Sequence, residues 1–183
     1  MKSAKALIVA GIALIALSLG ALGYWQYADA KSEATAKEIL QQLDAALPPL
    51  HPGTRDTYRV MEMPVLEIDG HDIIAIVEIP AFSLRLPVQS SWEQGSALPR
   101  RFSGSVYDDS LIIGGTSAQF ACFAQIPNDT VVTVTDMTGA VFTYTVTRIG
   151  RSAAADPAAL TGSRLTLFTR QQTNLEYILL RCN

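Results

Sequence analysis

Covalent or proton-transfer chemistry in this chain would have to come from two cysteines, two histidines and a late group of arginines. A thiolate at Cys122, in Phe120-Ala121-Cys122-Phe123, would attack a carbonyl if a base drew off its proton. Its apolar neighbours instead predict a buried structural thiol with a raised pKa, which leaves Cys122 as an alternative nucleophile only. Cys122 and Cys182 are far apart and form no Cys-x-x-Cys, so they make neither a zinc site nor a disulfide framework, and at most one bridge. His51 lies in a proline-rich stretch and His71 follows Asp69-Gly70, and both read as solvated turn histidines. The hydroxyl of Thr169 would need an activating base, and none is expected beside it. Asp108-Asp109 and Asn128-Asp129 offer too few oxygens for Ca²⁺ and read as turn formers, so no metal and no cofactor is expected. Arg148, Arg151, Arg164 and Arg170 would line an anionic groove if the fold gathered them; the expectation is a scattered solvated surface.

The elements that must position these groups start with an apolar run. Residues Ala6 to Gly23 carry no charge, and about 18 residues at 1.5 Å each reach about 27 Å, close to a hydrocarbon core. Lys2 and Lys5 precede the run and Tyr24, Trp25 and Tyr27 follow it, which predicts a transmembrane helix with its N-terminus in the cytoplasm and the remainder outside the cell. A cleaved signal peptide is the alternative, since Ala28-Asp29-Ala30 resembles a small-x-small cleavage site, but its apolar region would usually be shorter. Ala36, Ile39, Leu40, Leu43 and Leu47 then recur at spacings of three and four, an amphipathic helix that Pro48-Pro49 and His51-Pro52-Gly53 terminate. The expected organisation is a stub and anchor over 1–30, a helix and linker over 31–64 and one domain over 65–183.

Beyond the linker the texture is that of short β-branched runs between turn residues. Strands are expected at Val65–Ile68, Ile73–Ile79, Phe82–Val88, Leu111–Ile113, Val131–Asp136, Val141–Ile149, Leu165–Thr169 and Tyr177–Arg181. Asp69-Gly70 marks a hairpin, and threonine alternates with apolar residues in Val141-Phe142-Thr143-Tyr144-Thr145-Val146. Short helical pieces are expected around Ala118–Gln125 and Pro157–Leu160. About eight strands at this spacing predict a mainly β fold, a closed barrel or a sandwich. The 14 basic and 17 acidic residues give a net charge of −3, which makes nucleic acid an unsuitable partner.

The order of these segments resembles the sortase family from about Glu67 onward. The resemblance is carried by Ile74-Ala75-Ile76-Val77-Glu78-Ile79-Pro80, Leu86-Pro87-Val88, Phe102-Ser103-Gly104-Ser105, Leu111-Ile112-Ile113-Gly114, Phe120 with Phe123, Val141 to Val146, and Leu165-Thr166-Leu167-Phe168-Thr169. It is most similar to clostridial-type and class B-like sortases of Gram-positive bacteria. The resemblance implies a closed β-barrel preceded by the transmembrane helix. Its groove would receive a sorting-signal peptide, cleave it through a cysteine thioester and transfer the acyl group to an amine on cell wall or pilin.

That chemistry needs a cysteine thiolate, a histidine that moves protons and an arginine that donates to the oxyanion. In the family the histidine follows the Ile-x-Gly strand end, the cysteine ends a Thr-Leu-x-Thr-Cys strand, and the arginine opens the next strand. Here those positions hold Gly115, Arg170 and Tyr177. Glycine moves no proton, and a guanidinium is not nucleophilic near neutral pH. The expectation is a degenerate member, a membrane-anchored extracellular domain that binds a sorting-signal peptide, a cell-wall component or another surface protein. The alternative is an active sortase-like transpeptidase or hydrolase with a relocated nucleophile.

Overall fold

The computed structural model describes residues 2–55, 62–92, 97–153, 160–171 and 176–183. Ten strands lie in one sheet: β1 (His51–Pro52), β2 (Leu66–Ile68), β3 (His71–Ile79), β4 (Leu84–Gln89), β5 (Arg100–Ser103), β6 (Leu111–Gly115), β7 (Val131–Asp136), β8 (Ala140–Ser152), β9 (Leu165–Arg170) and β10 (Tyr177–Cys182). The order β8-β10-β9-β6-β5-β4-β3 is closed by β7, which pairs with both β3 and β8. This makes an eight-stranded barrel, with β1 and β2 paired outside the ring. Closure leaves the eight strands without a free edge, and the alternating apolar residues of each fill the interior.

Alternation along the strands decides which face each residue takes. Leu165 and Leu167 of β9, Ile178 and Leu180 of β10, and Leu111 and Ile113 of β6 enter the main core with Phe120, Phe123, Phe142 and Tyr144. The intervening Phe168, Leu179 and Ile112 form a separate outer cluster under Leu160. At the β7–β8 turn, the buried Asp136 carboxylate accepts from Tyr107 Oη and, at 2.8 and 3.0 Å, from the backbone N–H groups of Thr138 and Ala140. Burial and this carboxylate together push the Tyr107 hydroxyl well above its ordinary pKa.

Several expected boundaries move. The segment expected to begin a strand at Phe82 forms a 3-10 turn over Pro80–Phe82, because Pro80 cannot donate to a ladder, and β4 starts at Leu84. The strand Arg100–Ser103 was not anticipated; only four residues long and opened by two arginines, it carries little hydrophobic periodicity. The helix expected near Ala118–Gln125 is reduced to turns and a 3-10 turn at Phe123–Gln125. The expected helical stretch at 157–160 lies, apart from Leu160, outside the described residues.

A single helix, α1 (Lys2–Ala46), runs through position 30 without a break and spans about 67 Å at 1.5 Å per residue. Its part from Gly11 is long and apolar enough to cross a membrane. Ile12, Leu14, Ile15, Leu17 and Leu19 project from it, each at least 60% exposed. Its last turns are different. Ala36, Ile39 and Leu43 are buried against Ile68, Ile73, Ile76, Leu98 and Met137 on the outside of the barrel. Polar contacts reinforce that seat: Ser32 donates to Ala97 O, Gln42 to Asp69, and Arg85 binds both Asp44 (2.5 Å) and Glu78 (2.9 Å).

Candidate functional site

Three strand ends meet at one end of the barrel. In the parallel β6–β9 pair, Gly115 is in register with Thr169, and in the antiparallel β9–β10 pair Arg170 faces Tyr177. The topology therefore brings Gly115, Arg170 and Tyr177 onto three adjacent strands although they are distant in sequence. Alternation puts Arg170 on the outer face with Phe168, while Thr169 is buried on the inner side. The Arg170 guanidinium carbon stands 5.8 Å from the centroid of the Tyr177 ring, a cation–π arrangement.

Gly115 turns elsewhere. A Cβ built on it would lie 2.5 Å from Phe120 Cε2 and 2.9 Å from Gln119 Oε1. Phe120 is buried and stacks on Phe123 at 4.3 Å, so its ring has little freedom to withdraw. Gln119 is held too: its Oε1 accepts from Thr116 N at 2.9 Å and its Nε2 donates to Ser32 Oγ and Ala97 O. The turn after β6 is thus tied to α1 and to the stretch that precedes β5.

Beside Arg170 the outer face carries an aromatic cluster. Trp92 stacks on Phe168 at 5.8 Å, and Phe102 meets the Trp92 and Phe168 rings edge-on at 5.3 and 5.7 Å. Arg100 lies over Trp92 at 5.0 Å. Gly114 makes this approach possible, since a Cβ there would fall 2.6 Å from both Trp92 Cζ3 and Phe168 Cζ. Sequence reading passed over Trp92 and Arg100, and the signal available for them was the Gly114-Gly115 doublet at a strand end, which marks close backbone approach.

The remaining candidates do not complete a catalytic group. Cys122 sits half-buried before the 3-10 turn, packed against the main core, and burial raises its thiol pKa. Cys182 is fully buried at the end of β10, its thiol pushed up to about 12 by desolvation. Both thiols are free. His51 pairs in register with Ala140 at the start of β8, and the His71 ring meets Gln89 Nε2 at 3.0 Å at the start of β3. Thr169 has no hydrogen-bond partner for its buried hydroxyl among the described residues. Asp109 is neutralised between Arg55 (2.7 Å) and Arg164 (3.2 Å), and Asp108 accepts from Ser105 N and Ser110 Oγ. Among the described residues no group of three or more metal-ligating side chains occurs.

Comparison with solved structures decides the fold. Sortase A from Corynebacterium diphtheriae superposes with a TM-score of 0.55 at 16% identity, over 85% of this chain and 83% of that one. The fold is that of the sortases. A sortase D5 transpeptidase from Clostridium perfringens matches at a TM-score of 0.56 and 13% identity, over 61% of this chain and 78% of that one. A sortase C from Clostridium perfringens, solved with the C-terminal cell wall sorting motif, matches at a TM-score of 0.51 and 16% identity, over 61% and 70%. No family model and no curated protein matches the chain. Within the sortase fold, the strand ends described above are those at which the family resemblance expects histidine, cysteine and arginine.

Proposed function

We propose that this is a membrane-anchored member of the sortase fold that binds a peptide, a wall component or another surface protein and carries out no thioester chemistry. The observation that supports it is the pairing of Arg170 with Tyr177 at the ends of β9 and β10. A permanently charged guanidinium resting on a phenol ring offers no nucleophile, and the neighbouring Gly115 offers no base. Cys122 is a poor substitute, since burial holds it as the neutral thiol. The projecting apolar residues of α1 support an anchor in the bilayer, with Lys2 and Lys5 on the cytoplasmic side.

The solved sortase C that carries a sorting motif suggests the probe. The full chain in detergent is incubated with sorting-motif peptides and an amine acceptor, and cleavage and thioester adducts are read by mass spectrometry. The expected result is neither cleavage nor adduct. Turnover that disappears in Cys122→Ala would overturn the proposal and identify a relocated nucleophile.

A further inference from the structure

A cavity lies at the other end of the barrel, away from Gly115, Arg170 and Tyr177. There β6 and β9 start side by side, Leu111 in register with Leu165, and β10 ends with Cys182 opposite Leu165. The segments leading into β6 and β9 and out of β10 enclose about 320 Å³, with Asp109, Thr161, Ser163, Arg164 and Asn183 on the wall. Two guanidiniums share one carboxylate here. Arg55 Nε stands 2.7 Å from Asp109 Oδ1 and Arg164 Nε stands 3.2 Å from Oδ2, with the Asp109 side chain only 16% exposed. Arg55 is fixed from behind, its guanidinium carbon 5.6 Å from the Phe142 ring centroid and 5.2 Å from that of Tyr144, both core rings.

Asp109 offsets only one of the two positive charges. The neighbouring Asp108 is turned onto Ser105 N and Ser110 Oγ, and the Asn183 main-chain oxygen accepts from Thr145 N at 2.8 Å. Asn183 Oδ1 accepts from Arg164 N at 3.2 Å, which leaves its Nδ2 as a donor. The wall is therefore rich in donors and carries one net positive charge among the described residues. Polar satisfaction is incomplete beside it. Arg55 Nη2 and Tyr144 Oη are buried without a hydrogen-bond partner among the described residues, and Tyr144 is 1% exposed. The Arg55–Asp109 pair is close without being aligned as a hydrogen bond. Unsatisfied buried groups of this kind are rare in native structures and mark a place where a partner belongs.

We infer that this cavity binds a small phosphomonoester, its phosphate held by the terminal nitrogens of Arg164 and by Thr161 and Ser163, while Arg55 acts as a positioning residue that cancels the charge of Asp109. Arg164 is half exposed and commits only its Nε to Asp109, so the rest of its fork is open to the cavity. Phosphate suits the wall better than carboxylate, because donors come from both the segment before β9 and the end of β10. Three terminal oxygens meet donors from several directions, whereas a planar carboxylate is matched by a single fork. The volume equals that of about ten water molecules at about 30 Å³ each, so the occupant has about ten non-hydrogen atoms, the size of a phosphorylated three-carbon polyol. The inference does not depend on what the opposite end of the barrel does.

The test is calorimetric titration of the full chain in non-ionic detergent with glycerol 3-phosphate, glycerate and glycerol. Glycerol 3-phosphate is expected to bind, glycerate more weakly and glycerol not at all. Arg164→Gln should weaken binding about tenfold or more, the usual worth of a charge-assisted hydrogen bond, and Lys37→Gln, which removes a charge elsewhere, should leave it unchanged. Arg55→Gln should also weaken binding, because it exposes the charge of Asp109. Adding Asp109→Asn to Arg55→Gln restores the net charge and should regain most of the affinity, which a purely structural role for Arg55 does not predict. A Thr161→Val, Ser163→Ala variant tests the same wall without touching an ion pair and is expected to bind more weakly with its melting temperature retained. No binding of glycerol 3-phosphate, equal binding of glycerate, or full affinity in either Arg164→Gln or the hydroxyl variant would overturn the inference. A double variant no better than Arg55→Gln alone would overturn the role given to Arg55.

Discussion

The ring of Phe120 occupies the space in which a side chain at Gly115 would begin, with Cε2 2.5 Å from the position of a Cβ. A side chain at this strand end would therefore meet packed core rather than open space. Phe120, stacked on Phe123, belongs to the main core at that end of the barrel.

Gly115→His is accordingly expected to destabilise the fold by about 1–3 kcal/mol, the usual cost of overpacking. Chemical denaturation of the variant against the parent checks this, and an unchanged midpoint would show that Phe120 yields freely. Adding Arg170→Cys and Tyr177→Arg is expected to leave the protein without sorting-motif cleavage, because the imidazole would meet Phe120 before it reached a thiol.

Gly114→Ala is expected to displace Trp92 from the sheet. The added methyl falls 2.6 Å from Trp92 Cζ3, and the exposed rim of the aromatic cluster is the part with room to move. Red-shifted Trp92 emission in a Trp25→Phe background is the predicted signature, at a stability cost of about 1–3 kcal/mol.

The two thiols are expected to differ in reactivity. At neutral pH, iodoacetamide should label Cys122 slowly and Cys182 only on unfolding, since the first is half-buried and the second fully enclosed. The Cys182 pKa is raised, so its contribution to stability is complete below the unfolded thiol value, about 8.5, and is lost as pH rises towards the folded value of about 12. A melting temperature that falls over that alkaline window in the parent, and falls less in Cys182→Ala, is the expected result.

The seat of α1 is expected to depend on Leu43 and Asp44. Leu43→Ala removes a fully buried side chain from the cluster between helix and barrel and should cost about 2–5 kcal/mol. Asp44 is held below the ordinary carboxylate range by the Arg85 guanidinium, so its support is present above the unfolded carboxylate value and is lost as pH falls through its lowered one. Hydrogen exchange in residues 31–46 should rise in Leu43→Ala and, in the parent, at acidic pH, and much less with pH in Asp44→Asn. The ion pair is largely exposed, so its effect on overall stability should be small.

Local pattern accounts for what the sequence by itself determined. The uncharged run before Tyr24, the spacing of Ile39 and Leu43 and the two-residue alternation along β7, β8 and β9 are properties of neighbouring residues. They announce an apolar helix, a helix with one buried stripe and the barrel strands. The resemblance to the sortases, carried by the order of these segments, implied that Gly115, Arg170 and Tyr177 stand at the family's catalytic positions. Tertiary structure decided everything that depends on which strands meet. β6 pairs with β9, and β9 with β10, across intervening segments whose sequence carries no record of register. Only that register sets Arg148 opposite Arg181, turns Arg170 onto Tyr177 and lays Trp92 on Gly114. Burial likewise belongs to the assembled barrel. The apolar neighbours of Cys122 predict an enclosed thiol, but it is the packing of Phe120 and Phe123 into the common core that supplies the enclosure and raises its pKa.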